Sequence, residues 1–290
     1  MKIALFYFSG TGNTFKVVSR WKEVSSDFDV SINLYNIEST SLSDIDLNSY
    51  DKIGFAYPIH AFNAPKNVWK FATFLPKLEN KIDAFVIMVS GEYMNINHSS
   101  DMKLKRILKR RNIIVTSEYH YLMPYNMIFR HTEDRAFKMY ETMYKLVPID
   151  VKEYLKLNVP HKLKKVHPAG WFIFILRIEQ WFAHVNGKHY KIDNTKCIKC
   201  LKCVNTCPVK NIEYKDGKFY FKNSCLLCTR CSFNCPTDAF KIGLLNNWRV
   251  NKPYKFKLSD ANEIDKHPKY CKRSYIRYFK EAENRINSNN

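Results

Sequence analysis

No apolar run in this chain is long enough to cross a bilayer. The most suspicious stretch, Ala169 to Leu176, is cut off by Arg177, and a spanning helix needs about 20 such residues. No leader is expected either. Met1-Lys2 leads straight into a strand-like apolar segment that stops at Ser9-Gly10, without the pattern of a secretory signal. The expectation is a cytoplasmic chain with no transmembrane segment. Acidic residues are in short supply: 27 Asp and Glu stand against 47 Lys and Arg, a formal net charge of +20. Residues 1–80 balance eight basic against eight acidic, so the excess lies downstream. A basic surface attracts nucleic acid, anionic lipid or an acidic protein. No helix-turn-helix or other nucleic-acid motif is evident, so nucleic acid ranks low. A solvated basic face is the plain alternative. No catalytic acid–base pair stands out, and catalytic residues stay unassigned. At 46% hydrophobic residues, the chain is too apolar to be disordered.

What the chain does have is cysteine, in a strict pattern. Eight of its nine cysteines form two copies of C-x2-C-x2-C-x3-C-P: Cys197, Cys200, Cys203, Cys207-Pro208 and Cys225, Cys228, Cys231, Cys235-Pro236. Each cysteine of the second copy follows its counterpart by 28 residues. A secreted disulfide framework has no oxidising compartment here, and structural zinc pairs two knuckles across a longer gap. The spacing suits two cubane [4Fe-4S] clusters, with the fourth cysteine of each run ligating the other run's cluster. Cluster one then takes Cys197, Cys200, Cys203 and Cys235. Cluster two takes Cys225, Cys228, Cys231 and Cys207. Ile192, Ile212, Tyr220 and Phe240 are placed to shield the cubes. Lys196, Lys199, Lys202 and Lys210 either ease the charge on reduced cubes or lie on the surface. Cys271 is outside both runs and reads as a structural or incidental thiol.

Upstream, strand and helix patterns alternate. Lys2–Phe8, residues 28–34, Lys52–Tyr57, Ala84–Ser90 and Ile113–Ser117 read as strands. Helices follow through about Lys22, then over Pro65–Phe74, Met102–Arg110 and Thr132–Leu157. Five strands with crossover helices make an α/β doubly wound parallel sheet. The expected boundaries are a sheet domain at 1–157, an aromatic linker helix at 158–190, the cysteine domain at 191–243 and a basic aromatic extension at 244–290. Trp171, Phe174, Ile178, Trp181 and Val185 recur at helical spacing in the linker, as for a helix packed between domains. A membrane-surface helix is the weaker alternative, because Lys162, Lys164 and Lys165 precede the stripe instead of lining it. Tyr275, Tyr278 and Phe279 suggest a packing stripe near the C-terminus.

The turn after the first strand reads Ser9-Gly10-Thr11-Gly12-Asn13-Thr14. Its hydroxyls, glycines and helix-start amides make a nest for a phosphate. No lysine follows, so it is no Walker loop, and Phe15 stands where G-x-G-x-x-G needs its third glycine. Residues 1–157 resemble a flavodoxin, with this turn as the phosphate loop of FMN. Residues 190–243 resemble bacterial-type ferredoxins at all eight ligand positions. The whole chain resembles fused flavodoxin–ferredoxin proteins of anaerobes. The resemblance implies a flavodoxin-like five-stranded domain and a C-terminal α+β two-cluster ferredoxin domain. It implies FMN and two [4Fe-4S] clusters as cofactors.

In the flavodoxin fold the flavin lies at the carboxyl ends of the strands. Pro58, His60, Ala61, Phe62 and Asn63 of one loop, and Ser90, Gly91 and Tyr93 of another, are the implied ring contacts. Tyr93 is the candidate to stack on the ring, and His60 or Phe62 to cover its other side. The first loop lacks the glycine such proteins commonly carry, and Asn63 is the residue that best tolerates left-handed backbone there. Leu122-Met123-Pro124-Tyr125-Asn126 is a further rim, through Pro124 and Asn126. The expected function is oxidoreductase electron transfer, coupling one-electron carriers to a flavin-linked acceptor. The alternative is an electron relay that binds a partner and has no substrate of its own. An acidic ferredoxin is the expected kind of redox partner.

Overall fold

The computed structural model describes residues 1–156, 163, 178–258 and 269–289. Five strands form one sheet in the order β2-β1-β3-β4-β5, every pair parallel. They are β1 (Lys2–Tyr7), β2 (Ser31–Asn36), β3 (Lys52–Pro58), β4 (Ile82–Ser90) and β5 (Ile113–Leu122). The central strands bury nearly every side chain, as a sheet covered on both faces must. The covering helices are α1 (Asn13–Ser26), α2 (Lys66–Phe74), α3 (Met102–Lys109) and α4 (Glu133–Lys156). The sequence marks these elements well, with one difference. β5 continues five residues past Ser117, through Glu118 and His120, which are both buried. Those polar residues hide the strand from a search for apolar alternation.

Glu118 pairs with Lys105 of α3 and His120 with Ser90 of β4, and a late element of the chain lines the same cavity. Helix α8 (Lys269–Asn287) returns to the sheet domain and joins its core through Cys271, Tyr275, Tyr278, Phe279 and Ala282. Arg285 of this helix meets Asp150 of α4 at 2.7 Å. Asp150 in turn accepts from Tyr121 Oη at 2.6 Å. Cys271 is thereby a core thiol, fully buried.

Between these parts lies the cysteine region. Helix α5 (Ile178–Lys188) leads into β6 (Lys191–Ile192), α6 (Lys202–Asn205), β7 (Ile212–Lys215), β8 (Lys218–Phe221), α7 (Arg230–Phe233) and β9 (Phe240–Lys241). β6 pairs with β9 and β7 with β8, both antiparallel. So the first strand of each half pairs with the last strand of the other. The 28-residue repeat governs the backbone too. Lys199 and Leu227, Leu201 and Thr229, and Lys210 and Asp238 all take left-handed φ of 48–57°.

Two expectations are corrected here. Tyr220 is 47% exposed, because β8 alternates and turns Phe219 and Phe221 toward the cluster core instead. Ile212 and Phe240 are buried there as expected. In α5 the residues described as buried are Ala183, Asn186 and Gly187, while Trp181 is 66% exposed. Trp171, Phe174, the Ile178 side chain, Lys162, Lys164 and Lys165 lie outside the described residues. Among the described residues, no helix is long and apolar enough to cross a membrane.

Candidate cofactor sites

The turn from β1 into α1 is built to receive an anion. Helix starts leave amides without intrahelical acceptors, and α1 has neither a capping side chain nor an acidic residue in its first turn. Gly12 sits at φ 105°, ψ −16°, a left-handed geometry that a side chain rarely adopts. Ser9 Oγ accepts from the Phe15 amide at 3.1 Å and so closes the turn. Asn13 Nδ2 donates to the Pro124 carbonyl at 2.8 Å, tying the turn to the segment after β5. The Thr11 and Thr14 hydroxyl oxygens are buried without a hydrogen-bond partner, and Thr14 is only 1% exposed. Buried hydroxyls normally find partners. A phosphate oxygen is an acceptor of the right kind for both, so these residues fit the phosphate of FMN.

The loop after β3 is a tight reverse turn. His60 and Asn63 exchange backbone hydrogen bonds at 2.9 Å each. Between them Ala61 and Phe62 take φ of 48° and 57°. Both central residues of this turn are left-handed, a geometry that glycine and asparagine favour. Asn63 is not the left-handed residue; its Nδ2 instead braces the turn by donating to the Ala61 carbonyl at 2.7 Å. Such strain gathers at functional sites. Burial pulls the His60 imidazole down to about 4, opposed by a hydrogen bond with the Leu226 backbone. His60 is therefore neutral at physiological pH.

The loop after β4 is held from the other side. Ser90 Oγ contacts His120 Nε2 at 2.6 Å, and the Gly91 carbonyl accepts from Tyr275 Oη at 3.0 Å. A Cβ on Gly91 would lie 2.3 Å from the Tyr125 ring, which covers this loop. Tyr93 is placed differently from expectation. It is 7% exposed and enclosed by the rings of His98, His120 and Tyr278. His120 and Tyr278 come from β5 and α8, elements whose contribution local sequence does not reveal.

The cysteines fall into two sets. Cys207, Cys225, Cys228 and Cys231 line one cavity, with Tyr190, Asn211 and Ile212. Burial pushes the Cys228 thiol up to about 12, with the Cys225 and Cys207 charges adding to it. Cys231 is driven up by burial and by the charges of Cys228, Cys225 and Cys207. Cys203 is pushed up to about 11 by burial first, and then by the charges of Cys197 and Cys235. Cys207 of the first run thus lies with the second run, and Cys235 of the second beside Cys203 and Cys197. Among the described residues, no three His, Cys, Asp or Glu side chains converge closely enough for a single ion. Thiolates on a cube bind separate irons and stand farther apart.

Donors to sulfur are already in place. The Asn211 amide reaches Cys207 Sγ at 3.2 Å, and the Ala239 amide, 28 residues later, reaches Cys235 Sγ at 3.3 Å. The Leu227 amide and Tyr190 Oη approach Cys225 Sγ at 3.3 and 3.2 Å. Hydrogen bonds of this kind stabilise the charge on cluster sulfur.

The two sites touch. A Cβ on Gly10 would stand 3.1 Å from the Cys228 carbonyl oxygen and 3.3 Å from its Cβ. Leu226 and Cys228 pack against the sheet core. Arg230, the residue before Cys231, fastens the contact. Its Nε donates to the Gly10 carbonyl and an Nη to the Ser9 carbonyl, both at 2.7 Å. The guanidinium also takes both oxygens of Glu38, at 2.7 and 2.5 Å, and the Thr206 carbonyl at 2.7 Å. Thr229 Oγ1 adds a bond to the Asn126 carbonyl at 3.2 Å. Arg230, Glu38, Tyr190 and Tyr125 were not singled out from sequence. The first had a signal: it is a fork-shaped cation inside the second cysteine run, aligned with Lys202 in the first.

Residues 4–111 match the family model of the flavodoxin domain, and residues 190–213 that of a 4Fe-4S binding domain. No curated protein matches the chain. Among solved structures, the chain is similar to oxidised flavodoxin 2 from Bacillus cereus, at 16% identity and a TM-score of 0.41, over 53% of this chain and 100% of that one. It is similar to two-electron reduced Megasphaera elsdenii flavodoxin at 17% identity and a TM-score of 0.38, over 52% and 98%. Rubredoxin oxygen:oxidoreductase from Desulfovibrio gigas follows at 14% identity and a TM-score of 0.32, over 53% and 37%. The chain joins a flavodoxin domain to a 4Fe-4S binding domain, a combination that indicates electron transfer with flavin and iron–sulfur and implies a redox partner.

Proposed function

We propose that this chain is an iron–sulfur flavoprotein that passes electrons between two [4Fe-4S] clusters and FMN, coupling one-electron carriers to a flavin-linked acceptor. One observation carries the reading: the second cysteine run is seated directly on the phosphate loop, at Gly10 and Cys228. When bound, the clusters supply one-electron chemistry and FMN one- or two-electron chemistry.

The residues divide the work as follows. Cys197, Cys200, Cys203 and Cys235 hold the outer cluster. Cys225, Cys228, Cys231 and Cys207 hold the inner one. Ser9, Gly10, Thr11, Gly12, Asn13 and Thr14 hold the flavin phosphate. The turn Pro58, His60, Ala61, Phe62, Asn63 and the loop Ser90, Gly91 flank the ring. Tyr93 supports that loop from within the core, and Tyr125 is the aromatic that lies over it. Neutral His60 brings no charge to the space between the flavin and the inner cluster. Arg230 holds the two sites in register.

Anaerobically prepared protein should contain about eight iron and eight sulfide per chain, and release FMN on denaturation. Zinc without iron would end the cluster reading. Replacing Thr11→Val and Thr14→Val together should weaken FMN binding on the order of 100-fold, since each hydroxyl bonds a charged oxygen. Iron content should stay unchanged. Flavin-free protein should lose no stability, because both hydroxyls lack partners there. Flavin retained at full affinity would assign the turn another role.

A further inference from the structure

We infer that the outward face of the first cysteine run is the docking surface for a small, acidic one-electron carrier protein. Ile198 and Cys200 form its centre; Lys196, Lys199, Lys202 and Lys210 form its rim. The inference rests on the two-cluster reading above and deepens it.

The internal repeat makes this face a counterpart of one already in use. Ile198, Cys200 and Lys202 correspond, 28 residues on, to Leu226, Cys228 and Arg230. In the second half those three residues are the contact with the flavodoxin domain: Leu226 and Cys228 on the sheet core, Cys228 on Gly10, Arg230 on Glu38. The first half has the same backbone shape. Left-handed residues at 199 and 201 match those at 227 and 229, and α6 matches α7. Its equivalent face is uncovered among the described residues. Ile198 is 64% exposed, and Cys200 and all four lysines are exposed. Asp193, the acid beside Lys196, is outnumbered by the four lysines of the rim.

The chemistry of the face selects the partner. An apolar centre with a charged rim suits a protein contact, and a small one suits transient electron exchange. The rim calls for an acidic surface, which steers the encounter electrostatically. One of the substitutions between the two faces is informative. Arg230 makes a multidentate, permanent staple. Lys202 offers a point charge with no fixed fork, as a partner that must leave requires.

The test uses the holoprotein and two donors in stopped flow: a dithionite-reduced acidic eight-cysteine ferredoxin, and the methyl viologen radical cation. The variant carries Lys196→Gln, Lys199→Gln and Lys202→Gln, and its iron and FMN contents are measured alongside. With ferredoxin, the second-order rate should fall steeply with salt in the parent. It should drop on the order of tenfold in the variant at low salt. With the cationic viologen the rate should hold or rise. Ile198→Ser should slow only the ferredoxin reaction. An unchanged ferredoxin rate overturns the inference. So does an equal loss with both donors, which would mean the lysines act on the cluster itself. If the variant instead loses duplex DNA or anionic vesicles while its ferredoxin rate is kept, the face serves those ligands and the inference falls. Protein without iron, bleached by neither donor, would remove the cofactor reading and the inference with it.

Discussion

The two cysteine runs have the same spacing and the same backbone, yet opposite surroundings. The second is pressed against the flavodoxin domain, with Cys225 and Thr229 buried and Arg230 clamped on Glu38. The first faces outward with Ile198 and Cys200 exposed. Inside the motif, Leu226-Leu227 and Thr229-Arg230 stand where the first run has Ile198-Lys199 and Leu201-Lys202. The repeat thus gives two similar turns, and a few residues between the cysteines give them different surroundings. On the proposed reading the second run holds the inner cluster, because that half is fastened to the sheet domain. The proposed order is then partner, outer cluster, inner cluster, flavin, readable in either direction.

That contrast is most directly broken at the crossed ligands. Cys207→Ala should remove about four of eight irons, and those lost should be the inner set, although Cys207 belongs to the outer run. Cys235→Ala should spare the inner set instead. Iron analysis with low-temperature EPR distinguishes the two. If Cys207→Ala removes the chelator-accessible cluster, the ligand sets are not crossed.

A smaller effect is expected at the clamp. Arg230→Met leaves the Glu38 carboxylate and three carbonyls without their donor. Both partners are about 15% exposed, so the loss should be about 2 kcal/mol of stability in urea unfolding. Electron exchange between the cofactors after a laser flash should slow on the order of tenfold. Arg230→Met with Glu38→Met should recover part of the stability, because the orphaned charge is gone. Unchanged exchange in the single variant would show that the domains keep their register without the clamp.

The smallest effect concerns acid. His60 titrates at about 4 in the folded chain and near 6.5 when unfolded. Between those values the unfolded state binds the extra proton. His60 therefore adds stability that is present above about pH 6.5 and lost as pH falls toward 4. In His60→Gln, that part of the acid slope should flatten between pH 7 and 4. Thermal melts across that range measure it, and an unaltered slope would place the acid sensitivity elsewhere.

Much of this was legible in the chain. The strands β1, β3 and β4 announce themselves by continuous apolar runs, and the phosphate turn by hydroxyls and glycines with no cation. Signals failed where the partner of a residue is far away in sequence. Glu118 and His120 conceal the end of β5, because what buries them includes a helix that begins at Lys269. Tyr93 has the composition of a ring contact but is enclosed by β5 and α8. The turn at Ala61 and Phe62 is left-handed with no glycine to mark it, a strain that surrounding structure imposes against local preference. Tyr220 shows the reverse error: period-2 alternation alone would have turned it outward.

The doubled cysteine spacing, read by itself, carried the expectation of iron–sulfur ligation, because thiolates must meet separate corners of a compact cube. The loop Ser9–Thr14 likewise carried the expectation of a phosphate held by amides and hydroxyls. Only the tertiary structure decided which cysteine run lies beside that loop. The two runs are equivalent as ligand sets, and what separates them is a long-range contact: the Arg230 guanidinium, whose acceptors at Ser9, Gly10 and Glu38 lie about 190 to 220 residues away in sequence. No local pattern encodes a bond of that length.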